Sequence, residues 1–211
     1  IWACYLSIVH VGQVFYGYGW ESLLLETGFF TCFLCPVKGF YQPKRNWQTN
    51  VVSYFIIWIL FRNMFGAGLI KMRGDASWRD FTALYYHFET QPIPNPLSWF
   101  FHHLPPIILK VGVLFNHIAE LLFPIFLFFP YLFRRAAAVG IILFQGILIF
   151  SGNLSWLNYL TIVQCIPAFQ KELFDFQSII HWSRTIKQQG WKKIKKNSPI
   201  IIVSIFVILM S

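Results

Sequence analysis

Asp75, Asp80, His87, Glu89, His102 and His103 crowd into one stretch, residues 71–106, and each can move a proton or hold a cation. His87 and Glu89, two positions apart, have the types needed for acid–base work. No spacing there matches a His-Glu-x-x-His metal helix, a serine elbow or a cysteine nucleophile. Pro92, Pro94 and Pro96 fall on alternate positions, which forbids a helix and holds the backbone extended. The stretch therefore reads as a shaped contact surface, with Lys71 and Arg73 at its start and no residue assigned to catalysis.

A second set lies inside apolar runs: Gln13, Glu21, Glu26, Arg62, Asn63, His117, Glu120 and Gln145. A charge in lipid costs roughly 2.5–3.5 kcal/mol on insertion scales, so such groups face a bundle interior or a watery cavity. Helices rise about 1.5 Å per residue. That rise puts Glu26, His117 and Glu120 near the middle of their segments, and the others at mid-depth or in the outer half. Arg62 is the counter-ion expected for Glu21, Glu26 or Glu120. His117 and Glu120 share a helix face at i, i+3. Their order reverses the Glu-x-x-His of di-iron bundles, so a hydrogen-bonded pair that locks helix packing is expected, and no metal or cofactor. The whole set reads two ways: a polar pocket opening outward, or buried pairs that fix helix register.

The elements that must position these residues are transmembrane helices. The 211-residue chain is 56% hydrophobic and only 12% charged, where soluble domains carry about 25% charged residues. Its apolar runs are continuous, without the alternation of membrane β-strands. A span needs about 20 apolar residues. Candidate spans are 1–16, 17–36, 48–70, 107–129, 136–151, 154–167 and 198–211, the sixth short enough to dip in and return without crossing. The expected fold is an all-α polytopic bundle of about six to seven apolar segments with a Pro-rich outer loop.

Loop charges orient it. Residues 37–47, the turn at 134–135 and residues 168–197 together hold twelve Lys and Arg, against three in 71–106. By the positive-inside rule the basic loops face the cytosol and 71–106 faces outward. The same pattern excludes nucleic acid as the reason for the net charge of +9, because the basic residues punctuate spans rather than cover a soluble face. Residues 1–167 then form the membrane core. Residues 168–197 form a basic cytosolic segment, read as a stop-transfer cluster in preference to an amphipathic surface helix, and 198–211 open a further span. The start at Ile1 and the end inside an apolar run read as a fragment. Cys4, Cys32, Cys35 and Cys165 sit in or beside apolar segments, so a disulfide framework is not expected. Cys32 and Cys35 have redox-motif spacing but no strand–helix context. Asn153-Leu-Ser155 is a glycosylation sequon on the outer side, close against the membrane.

Four strings carry a resemblance: Gly12-Gln-Val-Phe-Tyr-Gly-Tyr-Gly-Trp20 running on to Phe30; Phe61-Arg-Asn-Met-Phe-Gly-Ala-Gly-Leu-Ile-Lys-Met-Arg-Gly-Asp75; Tyr86-His-Phe-Glu-Thr-Gln-Pro-Ile-Pro-Asn-Pro-Leu-Ser98 with His102-His-Leu-Pro105; and Ser151-Gly-Asn-Leu-Ser-Trp-Leu-Asn-Tyr-Leu-Thr161. Over roughly residues 5–162 the chain resembles the lipase maturation factor family, more its founding, lipoprotein-lipase-maturing branch than the paralogue. The resemblance implies a multi-pass protein of the endoplasmic reticulum membrane. Such a protein acts as a chaperone-like factor for dimeric client lipases in the lumen, mainly through a lumenal domain that this chain lacks. Besides the client and the lipid bilayer no partner is implied, and no catalytic residue. Two other classes compete: an intramembrane enzyme acting on lipid or a membrane-proximal peptide, and a transporter with a polar outward cavity.

Overall fold

Glycine and proline mark where the helices stop. The computed structural model describes residues 1–35, 47–171 and 173, and every regular element among them is helical. Helix α1 (Trp2–Gly12) ends in a 3-10 turn, Gln13–Tyr16, where Gln13 takes a positive φ of 43°. The chain reverses through Gly17 into α2 (Gly19–Cys32). The hairpin is fastened where Trp2 Nε1 donates to the Leu25 carbonyl at 2.8 Å and its ring meets Phe29.

Helix α3 (Trp47–Arg73) is the longest and carries the core residues Ile57, Ile59 and Leu60. Three short helices follow: α4 (Ala76–Arg79), α5 (Ala83–His87) and α6 (Ser98–His102). Asp75 caps α4 by accepting the Ser77 N–H at 2.7 Å. That bond holds the Asp75 carboxyl below the usual carboxylate range. Helix α7 (Pro106–His117) opens with proline in its first turn, where a missing N–H is harmless. It runs through a π-helical turn, Ile118–Leu122, into α8 (Phe123–Phe126). Helix α9 (Tyr131–Ser151) starts after Pro130, and α10 (Leu157–Gln164) ends in a 3-10 turn, Ile166–Phe169.

Among the described residues three helical stretches are long and apolar enough to cross a membrane: Thr49–Arg73, Pro106–Phe126 and Tyr131–Ser151. Helices α1 and α2, of 11 and 14 residues, and the apolar Leu157–Phe169 stretch are shorter than the roughly 20 residues a crossing needs. Close approach inside the bundle depends on glycine. A Cβ at Gly68 would lie 2.6 Å from Leu121, and one at Gly140 would run into the ring of Phe123. Small residues at such crossings are how membrane helices pack without a hydrophobic driving force.

Two boundaries differ from the sequence expectation. Arg134 and Arg135 are not a connecting turn but lie in the first turns of α9. Arg134 is 1% exposed; its Nε donates to the Ala168 carbonyl at 3.1 Å and an Nη to the Gln170 carbonyl at 2.6 Å. It thereby satisfies carbonyls at the end of the Ile166–Phe169 turn that no helix bond reaches. At the other end of the bundle, α3 runs on through Lys71 and Arg73, so these are helical residues and not the start of a loop. The expectations for residues 37–46, for most of the basic segment and for 198–211 lie outside the described residues.

Candidate functional site at the end of α9

A helix leaves its last four carbonyls without partners, and α9 ends among buried residues, Ser151 being 3% exposed. The Pro-rich loop supplies the missing donors. Ser98 Oγ donates to the Ser151 carbonyl at 2.7 Å, and Gln91 Nε2 reaches the same oxygen at 3.3 Å. Asn95 Nδ2 donates to the Ile149 carbonyl at 3.2 Å and reaches that of Gly152 at 3.5 Å. Within the loop, Asn95 Oδ1 accepts the Leu97 N–H at 2.9 Å, and the Asn95 N–H donates to Ser98 Oγ at 3.0 Å. Pro92, Pro94 and Pro96 have no N–H to offer, and no helix forms between α5 and α6. The donors are therefore side chains, Asn95 between two of the prolines and Gln91 and Ser98 on either side of the three.

A pocket of about 210 Å³ opens beside this clamp, lined by His87, Gln91, Ile93, Leu148, Asn153 and Leu154 among others. His87 and Glu89 do not pair with each other: Glu89 Oε1 lies 3.1 Å from His102 Nε2. His103 Nδ1 lies 2.8 Å from the Trp99 carbonyl. Burial, and then the positive charge of Lys71, holds the His87 pKa below its usual value, so the imidazole is neutral near pH 7. Asn153 stands exposed at the pocket, and Arg73 is exposed at the end of α3.

A second cluster joins α3 to the π-helical turn. Lys71 Nζ donates to Glu120 Oε1 at 2.5 Å and to Asn116 Oδ1 at 2.9 Å, and Asn116 Nδ2 donates to Glu120 Oε2 at 3.1 Å. The ammonium also lies 4.7 Å from the centre of the Trp78 ring. His117 and Glu120 are thus not the hydrogen-bonded pair their spacing suggested. His117 Nε2 donates instead to the Trp78 carbonyl at 3.0 Å, and Glu120 takes Lys71.

The remaining polar residues are spread along the bundle. Arg62 pairs with Glu26, and Glu21 accepts the Tyr5 hydroxyl. Gln145 Nε2 donates to the Met64 sulfur at 3.3 Å. Gln13 is exposed in its 3-10 turn, and Asn63 is half-buried. These contacts join helices pairwise, Arg62 linking α3 to α2. Among the described residues no three His, Cys, Asp or Glu side chains are grouped to hold a metal ion.

Residues 1–176 match the family model described as the lipase maturation factor transmembrane domain. The chain belongs to the lipase maturation factor family. It is 47% identical over 180 residues to human lipase maturation factor 1, an overlap of 83% of this chain and 31% of that one. To the bovine protein of the same name it is 48% identical over 173 residues, 80% of this chain and 30% of that one. To lipase maturation factor 2 of Xenopus tropicalis it is 37% identical over 195 residues, 90% of this chain and 27% of that one. The chain thus spans about a third of the length of these relatives. No solved structure matches it.

In this lipase maturation factor domain, two of the strings that carried the resemblance, residues 86–98 and 151–161, dock on each other through the clamp. Its donors Gln91, Asn95 and Ser98, with Asn116 and the buried Arg134, were not singled out from the sequence. A signal existed for the first three: side chains with hydrogen-bonding capacity recur just where proline removes the backbone donors.

Proposed function

We propose that this membrane domain assists the folding, assembly and maturation of secreted dimeric lipases, as a chaperone-like component of the endoplasmic reticulum membrane and not as an enzyme. The clamp carries the reading. The most distinctive strings of the chain are spent on fixing the shape of one end of the bundle, while Glu89 meets His102 and forms no acid–base pair with His87. Proline restriction before contact lowers the entropy lost when a surface binds. The relatives' names supply the client class.

In this reading residues 74–106, after the end of α3, face the lumen and the basic loops face the cytosol. The short helices α1 and α2 and the Leu157–Phe169 stretch join the three long ones as membrane-embedded segments, giving six to seven in all with 198–211. Residues 1–167 are the core and 168–197 the cytosolic segment. The intramembrane polar residues fix helix register. The test is re-expression in cells lacking the factor. The intact protein should restore secreted lipase activity, and the variant with Pro92, Pro94 and Pro96 all changed to alanine should restore much less at equal abundance. Full restoration by the triple variant would overturn the assigned role of the loop.

A further inference from the structure

The pocket beside the clamp holds hydrogen-bonding capacity that the fold does not use. The His87 imidazole is half-buried, yet it makes no side-chain hydrogen bond among the described residues; its ring meets only Phe88, at 5.3 Å between centroids. Asn153, which also lines the pocket, likewise has no side-chain hydrogen bond among the described residues. Thr90 and Gln91 complete the polar wall, and none of the lining residues carries a formal charge at neutral pH. The apolar lining includes Leu148, with Ile93 at 65% and Leu154 at 39% exposure. The pocket sits at the last turn of α9, a helix long enough to cross a membrane, and so at the boundary between hydrocarbon and water.

We propose that this pocket binds the uncharged, hydroxyl- and ester-bearing headgroup of a bilayer lipid of the mono- or diacylglycerol class. A phosphate or carboxylate would lose its hydration against lining residues that carry no charge, and the nearby Lys71 ammonium is already held by Glu120 and Asn116, so burying the anion is costly. A neutral hydroxyl or ester exchanges hydrogen bonds with His87 and Asn153 at no such cost. The volume, about 210 Å³, is below the roughly 300–1,000 Å³ of pockets that enclose drug-sized ligands. It therefore takes a headgroup and leaves the acyl chains along Ile93, Leu154 and the lipid. This is independent of the lipase reading, because it is measured on purified protein without a client.

The experiment places the protein in phosphatidylcholine nanodiscs with a trace of photoactivatable diacylglycerol, or of photoactivatable phosphatidylserine with the same acyl chains. Cross-linked residues are then mapped by mass spectrometry. Diacylglycerol should label residues 87–93 and 148–154, unlabelled diacylglycerol should reduce that labelling several-fold, and free glycerol should not. Thr90→Trp, which fills the pocket from its exposed edge, should abolish it. His87→Phe, which keeps a ring but removes the nitrogens, should reduce it even if the tryptophan variant fails to fold. Equal labelling by phosphatidylserine, competition by free glycerol, or labelling unchanged in His87→Phe would overturn the proposal. So would an N-glycan on Asn153, read as a mass shift removed by an amide-cleaving glycosidase.

Discussion

At Lys71 one side chain decides how three elements meet. Its ammonium is shared between Glu120, Asn116 and the Trp78 ring, and the Glu120 side chain is only 5% exposed. Removing one partner of a buried pair costs about 3–5 kcal/mol, because the other charge is stranded. Lys71→Met should therefore lower stability in detergent by an amount of that order, and adding Glu120→Gln should recover part of the loss. A double variant as unstable as the sum of its singles would contradict the pairing. His87 gives a pH dependence. Its ordinary pKa is 6.5, and burial lowers it in the folded chain. Between the two values the unfolded chain binds more protons, so this residue's contribution to stability falls as pH drops below about 6.5 and returns as pH rises. The acid side of the stability profile, measured by thermal unfolding from pH 7.5 to 5, should flatten in His87→Phe. Sequence alone singled out Arg62 as one half of a pair, because a lone arginine in an apolar run must find a carboxylate. It did not assign Lys71 to Glu120, since a lysine beside polar residues reads as water-facing and its partners lie far along the chain.

At the scale of elements, the clamp transfers stability from loop to helix. Ser98 and Ser151 are each 3% exposed, so Ser98→Ala would leave a buried carbonyl without its nearest donor. Such a loss costs about 1–3 kcal/mol. The unfolding midpoint should shift accordingly, and protease should cut the chain between α5 and α6 sooner. An unchanged midpoint would mean that Gln91 and Asn95 suffice alone. The three long helices were legible because continuous apolar runs are a local signal. The start of α9 was misplaced for an equally physical reason: counting Arg134 as a loop charge ignores that a buried guanidinium can be satisfied by carbonyls from another helix. The clamp was half legible. Alternating prolines forecast an extended, rigid loop, but nothing local says which helix end receives its donors.

Across the whole molecule, the long and compositionally odd strings made the family readable, and the structure explains two of them together. Residues 86–98 and 151–161 are distinctive because each must fit the other. A function class was readable only through the family, since the His87 and Glu89 that sequence singled out do not pair and Glu89 meets His102 instead. The central claim is that the loop works by shape. The most direct measurement compares Asn95→Ala/Ser98→Ala, which breaks the clamp, with His87→Ala and with Glu89→Ala for restoring lipase secretion in cells lacking the factor. Protein abundance must be matched throughout. The clamp variant should lose at least as much secreted lipase activity as either single acid–base variant, and both single variants should retain part of it. Complete loss in His87→Ala or Glu89→Ala, with the fold intact and the clamp variant near normal, would contradict the account and favour catalysis.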